Sequence, residues 1–268
     1  MILIGELING TRAEVREAIE RRDDDFIADL AVRQSTVGAD YLDCNVGTAG
    51  KREAERMQWL VEIVQSAVDT PVSIDTTSPE AMEAGLDAWR GDAMPICNSV
   101  TLERERCEAM IPILRSGEVR VVALAMDDEG VPESVEARVE CATRLLDLLG
   151  DAGIECEDIF VDPLVMPLSV APEGALLVSE AIRQITSARP NCHTVVGLSN
   201  VSYGLPERPL LNRVFLAQAI VSGLDSAILD PLDRGIMSTL YAAEALAGRD
   251  EWCANYLRAH RDGTLRGT

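Results

Sequence analysis

The sequence predicts a single-domain α/β protein of the (β/α)8, TIM-barrel class spanning residues 1–268. Three observations carry that expectation. Short β-branched runs that end on small or polar residues alternate eight times with helix-length segments, and parallel neighbours need such crossovers. The chain has 268 residues, close to the roughly 250 that a closed eight-fold barrel uses. No linker, low-complexity tract or internal repeat divides it.

Ile2 to Ile4 is a short strand ending in the turn Gly5 to Gly10, and a helix is expected from Asp24 to Val37, stopped by Gly38. Tyr41 to Gly47 is the next strand and its polar end. From Arg52 to Val68, Met57, Leu60, Val61, Val64 and Val68 recur at helical spacing. Pro71 to Thr77 is a third strand. Ser78-Pro79 then supplies an N-cap and first turn for a helix through Trp89. Ala93 to Val100 reads as a weaker fourth strand because of Pro95, with a helix from Glu103 to Leu114 after it. Val119 to Met126 is the fifth strand, followed by the helix Val135 to Leu149. Asp158 to Leu164 is the sixth, followed by a longer loop and the helix Ala175 to Ser187. Thr194 to Val196 is the seventh strand, running into Gly197-Leu198-Ser199-Asn200 and then the helix Pro209 to Gly223. Gly223 to Asp230 is the eighth. Helices from Ile236 to Ala247 and from Glu251 to Ala259 close the chain; the latter, with Trp252 and Tyr256, reads equally as a dimer surface or a plain terminal helix.

A net charge of -21 argues against nucleic acid, whose phosphates would be repelled. It suits solubility or a basic partner. No apolar run reaches the roughly 20 residues of a membrane helix. Seven cysteines without CxxC spacing, and two distant histidines, His193 and His260, offer no zinc site. With no leader at Met1 to Gly5, they read as reduced thiols of a cytoplasmic chain.

In such a barrel the carboxyl ends of the strands share one mouth. The polar residues there are Glu6 and Asn9, Asp43 and Asn45, Asp75, Asn98, Asp162, Ser199 and Asn200, and Asp230. Acids and amides predominate, and the only potential nucleophiles are Cys44 and Cys97. Carboxylates and amides each grip a donor–acceptor edge of a flat heterocycle bidentately. A ring with amidine-like nitrogens, such as a pterin, is the ligand this set would take. Asp75, Asn98 and Asp162 are the candidates to hold it, because a buried acid without a partner is expensive. Asp43 is placed to orient a neighbour.

Seven ordered stretches resemble the methyltetrahydrofolate:corrinoid protein methyltransferases, a family of pterin-binding barrels. They are Gly5-Glu6-Leu7-Ile8-Asn9-Gly10, Leu42-Asp43-Cys44-Asn45-Val46-Gly47, Ile74-Asp75-Thr76-Thr77, Cys97-Asn98-Ser99, Val161-Asp162-Pro163-Leu164, Gly197-Leu198-Ser199-Asn200-Val201-Ser202 and Arg208-Pro209-Leu210-Leu211-Asn212-Arg213. The resemblance spans residues 1 to about 255. It implies that Asp75, Asn98 and Asp162 bind the pterin of 5-methyltetrahydrofolate, with Gly197, Ser199 and Arg208 around it. Glu6, Asn9, Asp43 and Asn45 stand behind them. Asn200 matches the family asparagine that hydrogen-bonds near N5. The catalytic pair is then Asn200 and Asp75, no metal is bound by this chain, and the methyl passes between N5 and the cobalt of a corrinoid (cobalamin) on a separate partner protein. Similar enzymes are homodimers. Thr76-Thr77-Ser78, Pro95-Ile96-Cys97 and Tyr203-Gly204 depart from the familiar pattern, the last in the loop where a corrinoid protein would dock.

The chemistry agrees with the residues. A tertiary amine leaves poorly unless its nitrogen is protonated or strongly hydrogen-bonded, and the cofactor brings the nucleophile. Two readings stand for Arg208 and for Arg213: contact with an anionic tail or phosphate, or a helix-terminal ion pair with Glu207. Asn212 reads as a site residue or a surface group. A dihydropteroate synthase would carry other residues where this chain has Asn45-Val46-Gly47-Thr48 and Ser199-Asn200-Val201, with a lysine and an arginine for pyrophosphate. A non-catalytic folate-binding subunit is the alternative of another class. The zinc-thiolate module that a whole methionine synthase needs is not in this sequence, and the direction of methyl flow stays open.

Overall fold

The computed structural model describes residues 1–47 and 50–265, Lys51 by its backbone only. Thr48, and residues 266–268 of the expected domain, lie outside the described residues. Among the described residues, eight strands alternate with helices: β1 (Ile2–Gly5), α1 (Ala13–Arg21), α2 (Asp24–Thr36), β2 (Tyr41–Cys44), α3 (Glu53–Ala67), β3 (Val72–Asp75), α4 (Pro79–Ala88), β4 (Ile96–Val100), α5 (Arg104–Ser116), β5 (Arg120–Leu124), α6 (Val135–Asp151), β6 (Ile159–Asp162), α7 (Gly174–Ala188), β7 (His193–Thr194), α8 (Arg208–Ser222), β8 (Ser226–Leu229), α9 (Arg234–Leu246) and α10 (Ala254–Arg261). Every pairing is parallel, in the order β7-β6-β5-β4-β3-β2-β1-β8. The ring closes between β7 and β8, where Ile228 N donates to Val196 O at 3.0 Å and Gly197 bridges Ile228. This is the (β/α)8 barrel that the alternation predicts.

Strand periodicity of two sorts every residue. Leu42, Val72, Ile74, Val121, Ala123 and Val161 face outward and pack beneath the helices. Leu3, Ala227 and Leu229 do the same on the β8 side. Ile4, Tyr41, Ile96, Val122, Phe160 and Val195 face inward and fill the barrel. Phe160 is fully buried; burying a side chain of that size is worth about 1.5–3 kcal/mol. Below this layer His193 stacks on Phe160, and its Nδ1 pairs with Asp225 Oδ2 at 2.6 Å. That histidine therefore lies at the floor, far from the mouth.

Three differences from the sequence reading have physical causes. Helix α1 was not expected; its apolar stripe is only Val15, Ala18 and Ile19 in nine otherwise charged or small residues. The fourth strand starts at Ile96 rather than Ala93, since Pro95 has no N–H to give and contributes only its carbonyl, to Arg120 N. The cysteines are not all reduced. Cys156 and Cys192 form a disulfide with a Cα–Cα separation of 4.8 Å. They are 36 residues apart, which is one strand–helix–strand unit, and stand just before the paired strands β6 and β7. Spacing arguments built on CxxC miss a pair joined by the barrel's own repeat. Cys44, Cys97, Cys107, Cys141 and Cys253 are free.

Candidate functional site

The same alternation builds the site. One step above the apolar layer, the next inward position is Glu6 after β1, Asp43 on β2 and then Asn45 after it, and Asp75 on β3. The ring continues with Asn98 on β4, Asp162 on β6, Gly197 after β7 and Asp230 after β8. Asp75 and Asn98 are register partners. The β1 and β2 ends are zipped together: Gly10 N donates to Asn45 O at 2.7 Å and Asn45 N to Ile8 O at 3.0 Å. A Cβ on Gly10 would lie 2.5 Å from the Val46 carbonyl carbon, so only glycine permits this approach.

Asp43, Asn45, Asp75 and Asn98 form one network. Asp43 Oδ1 accepts from Ser73 Oγ at 2.7 Å and from Asn98 Nδ2 at 3.2 Å. Asp75 Oδ2 accepts from Asn45 Nδ2 at 2.8 Å, and Asn45 Oδ1 accepts from Gly47 N at 2.7 Å. Burial, and then the Asp75 carboxylate, hold Asp43 well above the usual carboxyl range. Burial raises Asp75 too, opposed by Asn45, by Arg106 and by a hydrogen bond from Asp43. Two acids this close do not ionise independently, and burial together with the Asp75 charge favours the protonated form of Asp43. Asn is isosteric with that protonated form. Under the folate reading that the family resemblance implies, Asp43→Asn is expected to fold and to keep folate Kd within about threefold of the parent, because the amide oxygen still accepts from Ser73 Oγ. A calorimetric Kd more than tenfold weaker would show that Asp43 works as an anion.

Asp162 stands across the mouth. It accepts from Leu164 N at 2.7 Å. Burial pushes its carboxyl up to about 7, against the Leu164 and Gly197 N–H groups and the Arg138 charge. Arg138, itself buried, donates to the carbonyls of Pro163 and Leu164 and so fixes the loop that follows Asp162.

Asn200 lies in a 3-10 turn, Leu198–Ser202, that follows β7. Its side chain is exposed to the mouth and makes no hydrogen bond among the described residues. The turn around it is held on several sides. Ser199 Oγ donates to Glu6 Oε2 at 3.2 Å. Arg208 donates through Nη2 to Ser199 O at 2.9 Å and through Nε to Ser202 Oγ at 3.1 Å, and lies over the Tyr203 ring. Arg208 thus braces the turn, and the ion pair with Glu207 that the sequence left open is not formed. Arg213 turns back to Pro209 O and does not line the mouth. Gly197 is set apart by space rather than backbone angle: at φ -73 any residue is comfortable, but a Cβ there would come within 2.9 Å of Asn200 Nδ2. Gly197→Ala is expected to leave the melting temperature within about 2 °C, because only the end of a side chain must move. It should lower turnover at least about tenfold by displacing the amide. Unchanged kcat in a folded Gly197→Ala variant would mean that the amide position is not critical.

A cavity of about 690 Å3 opens between these groups. Glu6, Asn9, Asn45, Asp75, Ser199, Asn200, Arg208 and Asp230 line it, while Asp43, Asn98 and Asp162 are buried below. Burial pushes the Glu6 carboxyl up to about 7, helped by Asp230 and opposed by Ser199, Arg12 and Arg208. Arg12, Tyr203, Asn212, Asp233 and Ile236 also line the cavity. Arg12 and Tyr203 sit in loops that no strand pattern reaches. Asn212 was left undecided between site and surface; it lines the wall, nine-tenths buried, with Oδ1 unpartnered. Ser73 was legible in hindsight, two residues before Asp75 on the inward face. Cys44 and Cys97 face outward and are buried in the helix-facing layer. Burial raises the Cys44 thiol and takes Cys97 to about 12, so neither serves the mouth as a nucleophile.

The mouth of this barrel is ringed by acids and amides, and neither Cys44 nor Cys97 opens into it; the family model described as pterin binding enzyme matches residues 5–230. Over 273 residues, the chain is 36% identical to the methylcorrinoid:tetrahydrofolate methyltransferase of Eubacterium limosum, covering 99% of this chain and 98% of that one. It belongs to the methyltetrahydrofolate:corrinoid methyltransferase family of pterin-binding enzymes. It is also 31% identical over 242 residues to the methionine synthase of Mycobacterium tuberculosis, of which it spans only 20%. Among solved structures, the dihydropteroate synthase of Xanthomonas albilineans with 7,8-dihydropteroate superposes with a TM-score of 0.68 at 19% identity, over 91% of this chain and 92% of that one. The Yersinia pestis dihydropteroate synthase in complex with a sulfonamide drug gives 0.70 at 14%, over 92% and 94%. At such identities the likeness shows the barrel alone. Among the described residues, no helix is long and apolar enough to cross a membrane.

Proposed function

We propose that this enzyme moves a methyl group between N5 of 5-methyltetrahydrofolate and the cobalt of a corrinoid carried on a separate protein, with tetrahydrofolate as acceptor in the demethylating direction. One observation carries the reading: an exposed amide, Asn200, lines one cavity with Glu6, Asn45 and Asp75, and Asp43, Asn98 and Asp162 are buried at the ends of the neighbouring strands. Asp75, Asn98 and Asp162 present acceptors, and one amide, to the N–H edge of a pterin. Asn200 then meets N5 above it, with its donor strengthening as charge develops there. Gly197, Ser199 and Arg208 set that amide in place; Glu6, Asn9, Asp43 and Asn45 hold the ring-binding groups. The corrinoid supplies the nucleophile when its protein docks, which suits a mouth that has none. The name of the full-length relative supports the demethylating direction.

We place the enzyme in the cytoplasm, which its five free cysteines suit, the Cys156–Cys192 disulfide being the exception. We also infer a homodimer. Leu210, Val214 and Val221 form an exposed apolar stripe on α8, and Trp252 is exposed beside α10. The test is spectroscopic. Purified enzyme with tetrahydrofolate and a methylated corrinoid protein is expected to demethylate the cobalt and yield 5-methyltetrahydrofolate. No transfer in either direction, with free cobalamin or with protein-bound corrinoid, would remove the proposal.

A further inference from the structure

Resting on that reading, we propose that Glu6 and Ser199 form the proton relay that serves N5, with Glu6 as the proton store and Ser199 as the hydroxyl that passes the proton on. The chemistry requires such a group. When the methyl leaves N5 toward the corrinoid, the electron pair of the C–N bond stays on nitrogen, and the cobalt supplies the pair for the new bond. N5 must then gain a proton. Asn200 strengthens a hydrogen bond but cannot give a proton away.

The geometry selects the donor. Asp43 and Asp75 are committed to hydrogen bonds with Ser73, Asn98 and Asn45, and Asp162, which takes the Leu164 N–H, is assigned to the ring edge of the pterin rather than to N5. Glu6 is on the cavity wall, in contact with the residue next to Asn200. Its surroundings come from four elements: Asp230 after β8, Arg12 before α1, Arg208 on α8 and Ser199 in the turn, with Asp43 of β2 also within electrostatic reach. Burial dominates them, so the carboxyl titrates at about 7, where a general acid and its conjugate base are both available. The Ser199 hydroxyl donates to Glu6 when Glu6 is a carboxylate; in the transfer away from folate Glu6 is protonated and that bond is reversed, so Ser199 Oγ gives its proton to N5 and takes one from Glu6, whose carboxyl becomes a carboxylate. In the reverse direction the N5 proton returns by the same two groups.

The sign of the pH dependence follows. Methyl loss from the folate needs protonated Glu6 and falls as pH rises through about 7. Methyl gain by tetrahydrofolate needs the carboxylate and rises over the same range. The experiment measures both directions with free cob(I)alamin or methylcobalamin between about pH 5.5 and 8.5, for the parent and for Glu6→Gln. The amide still accepts from Ser199, so the turn is preserved. Glu6→Gln is expected to lose at least about tenfold in kcat, with folate KM within about threefold and both pH limbs near 7 abolished. Parental kcat and pH limbs in Glu6→Gln overturn the proposal. Should that variant not fold, Ser199→Ala leaves the carboxyl and removes the hydroxyl; the same drop in kcat is expected, and full kcat overturns the relay. A parent enzyme that transfers no methyl at all would sink the functional reading itself, a result distinct from either.

Discussion

Asn200→Ala is expected to slow methyl transfer by about 100- to 1,000-fold while leaving folate affinity within about fivefold. The asymmetry comes from where the amide spends its binding energy. In the free enzyme its side chain has no protein partner, so removing it leaves no orphaned group and costs the fold little. In the proposed complex N5 is a weakly basic tertiary amine in the ground state, and a hydrogen bond from Asn200 to it would be modest. As the methyl departs, electron density builds on N5 and the contact strengthens. Only this difference accelerates the reaction, and loss of one preorganised donor is typically worth about 3 to 4 kcal/mol. The turn held by Arg208 and Ser199 supplies the preorganisation. Single-turnover rates at saturating folate, beside a calorimetric Kd, separate the two effects. A full transfer rate, or an affinity that falls as far as the rate, would assign Asn200 to binding alone.

What the sequence showed of this site, and what it hid, follow one division. Every position set by strand alternation was legible. Asp43, Asp75, Asn98 and Asp162 end β-branched runs, and a period of two forces them to the same side as Ile4, Ile96 and Phe160. Cys44 and Cys97 belonged to the opposite parity and could have been set aside by the same rule. The readings that stayed open depend on contacts between segments far apart in the chain. Ser199 meets Glu6 across 193 positions, and no local pattern reports that. Arg208 braces its own preceding turn because the chain reverses at Glu207, which adopts φ 50 although it is not glycine; the sequence Pro206-Glu207-Arg208 gives no warning. The Cys156–Cys192 pair and helix α1 were hidden for related reasons, one by the length of the barrel unit and the other by a stripe too short to stand out.

The second large effect is on binding. Asp162→Ala and Asp75→Ala are each expected to weaken folate affinity by about 100-fold or more, since each removes hydrogen bonds to a charged acceptor worth about 1.5–3 kcal/mol apiece. The fold should tolerate the loss of Asp162. Its folded-state pKa of about 7 lies above the ordinary value of 3.8. A raised carboxyl stabilises the fold fully only below its unfolded value, and that contribution is lost as pH rises through about 7. Near neutrality the buried carboxylate is therefore a burden that a ligand relieves, and its removal forfeits mainly the bond to Leu164 N. The same titration governs affinity. In the proposed contact a neutral reduced pterin offers N–H donors to the Asp162 carboxylate, so the free enzyme would have to release a proton to bind it below pH 7. Folate Kd should then rise toward tenfold per pH unit as pH falls below about 7, and calorimetry in buffers of different ionisation enthalpy should register the released proton. Asp162→Ala should flatten that dependence as well as weaken binding, whereas Asp75→Ala should weaken binding and leave the limb in place, because the limb near 7 belongs to Asp162. Unchanged Kd in both variants would take the pterin out of this ring of acids; a parent Kd that is flat from pH 5.5 to 8 would mean that Asp162 meets the ligand already ionised, or not at all.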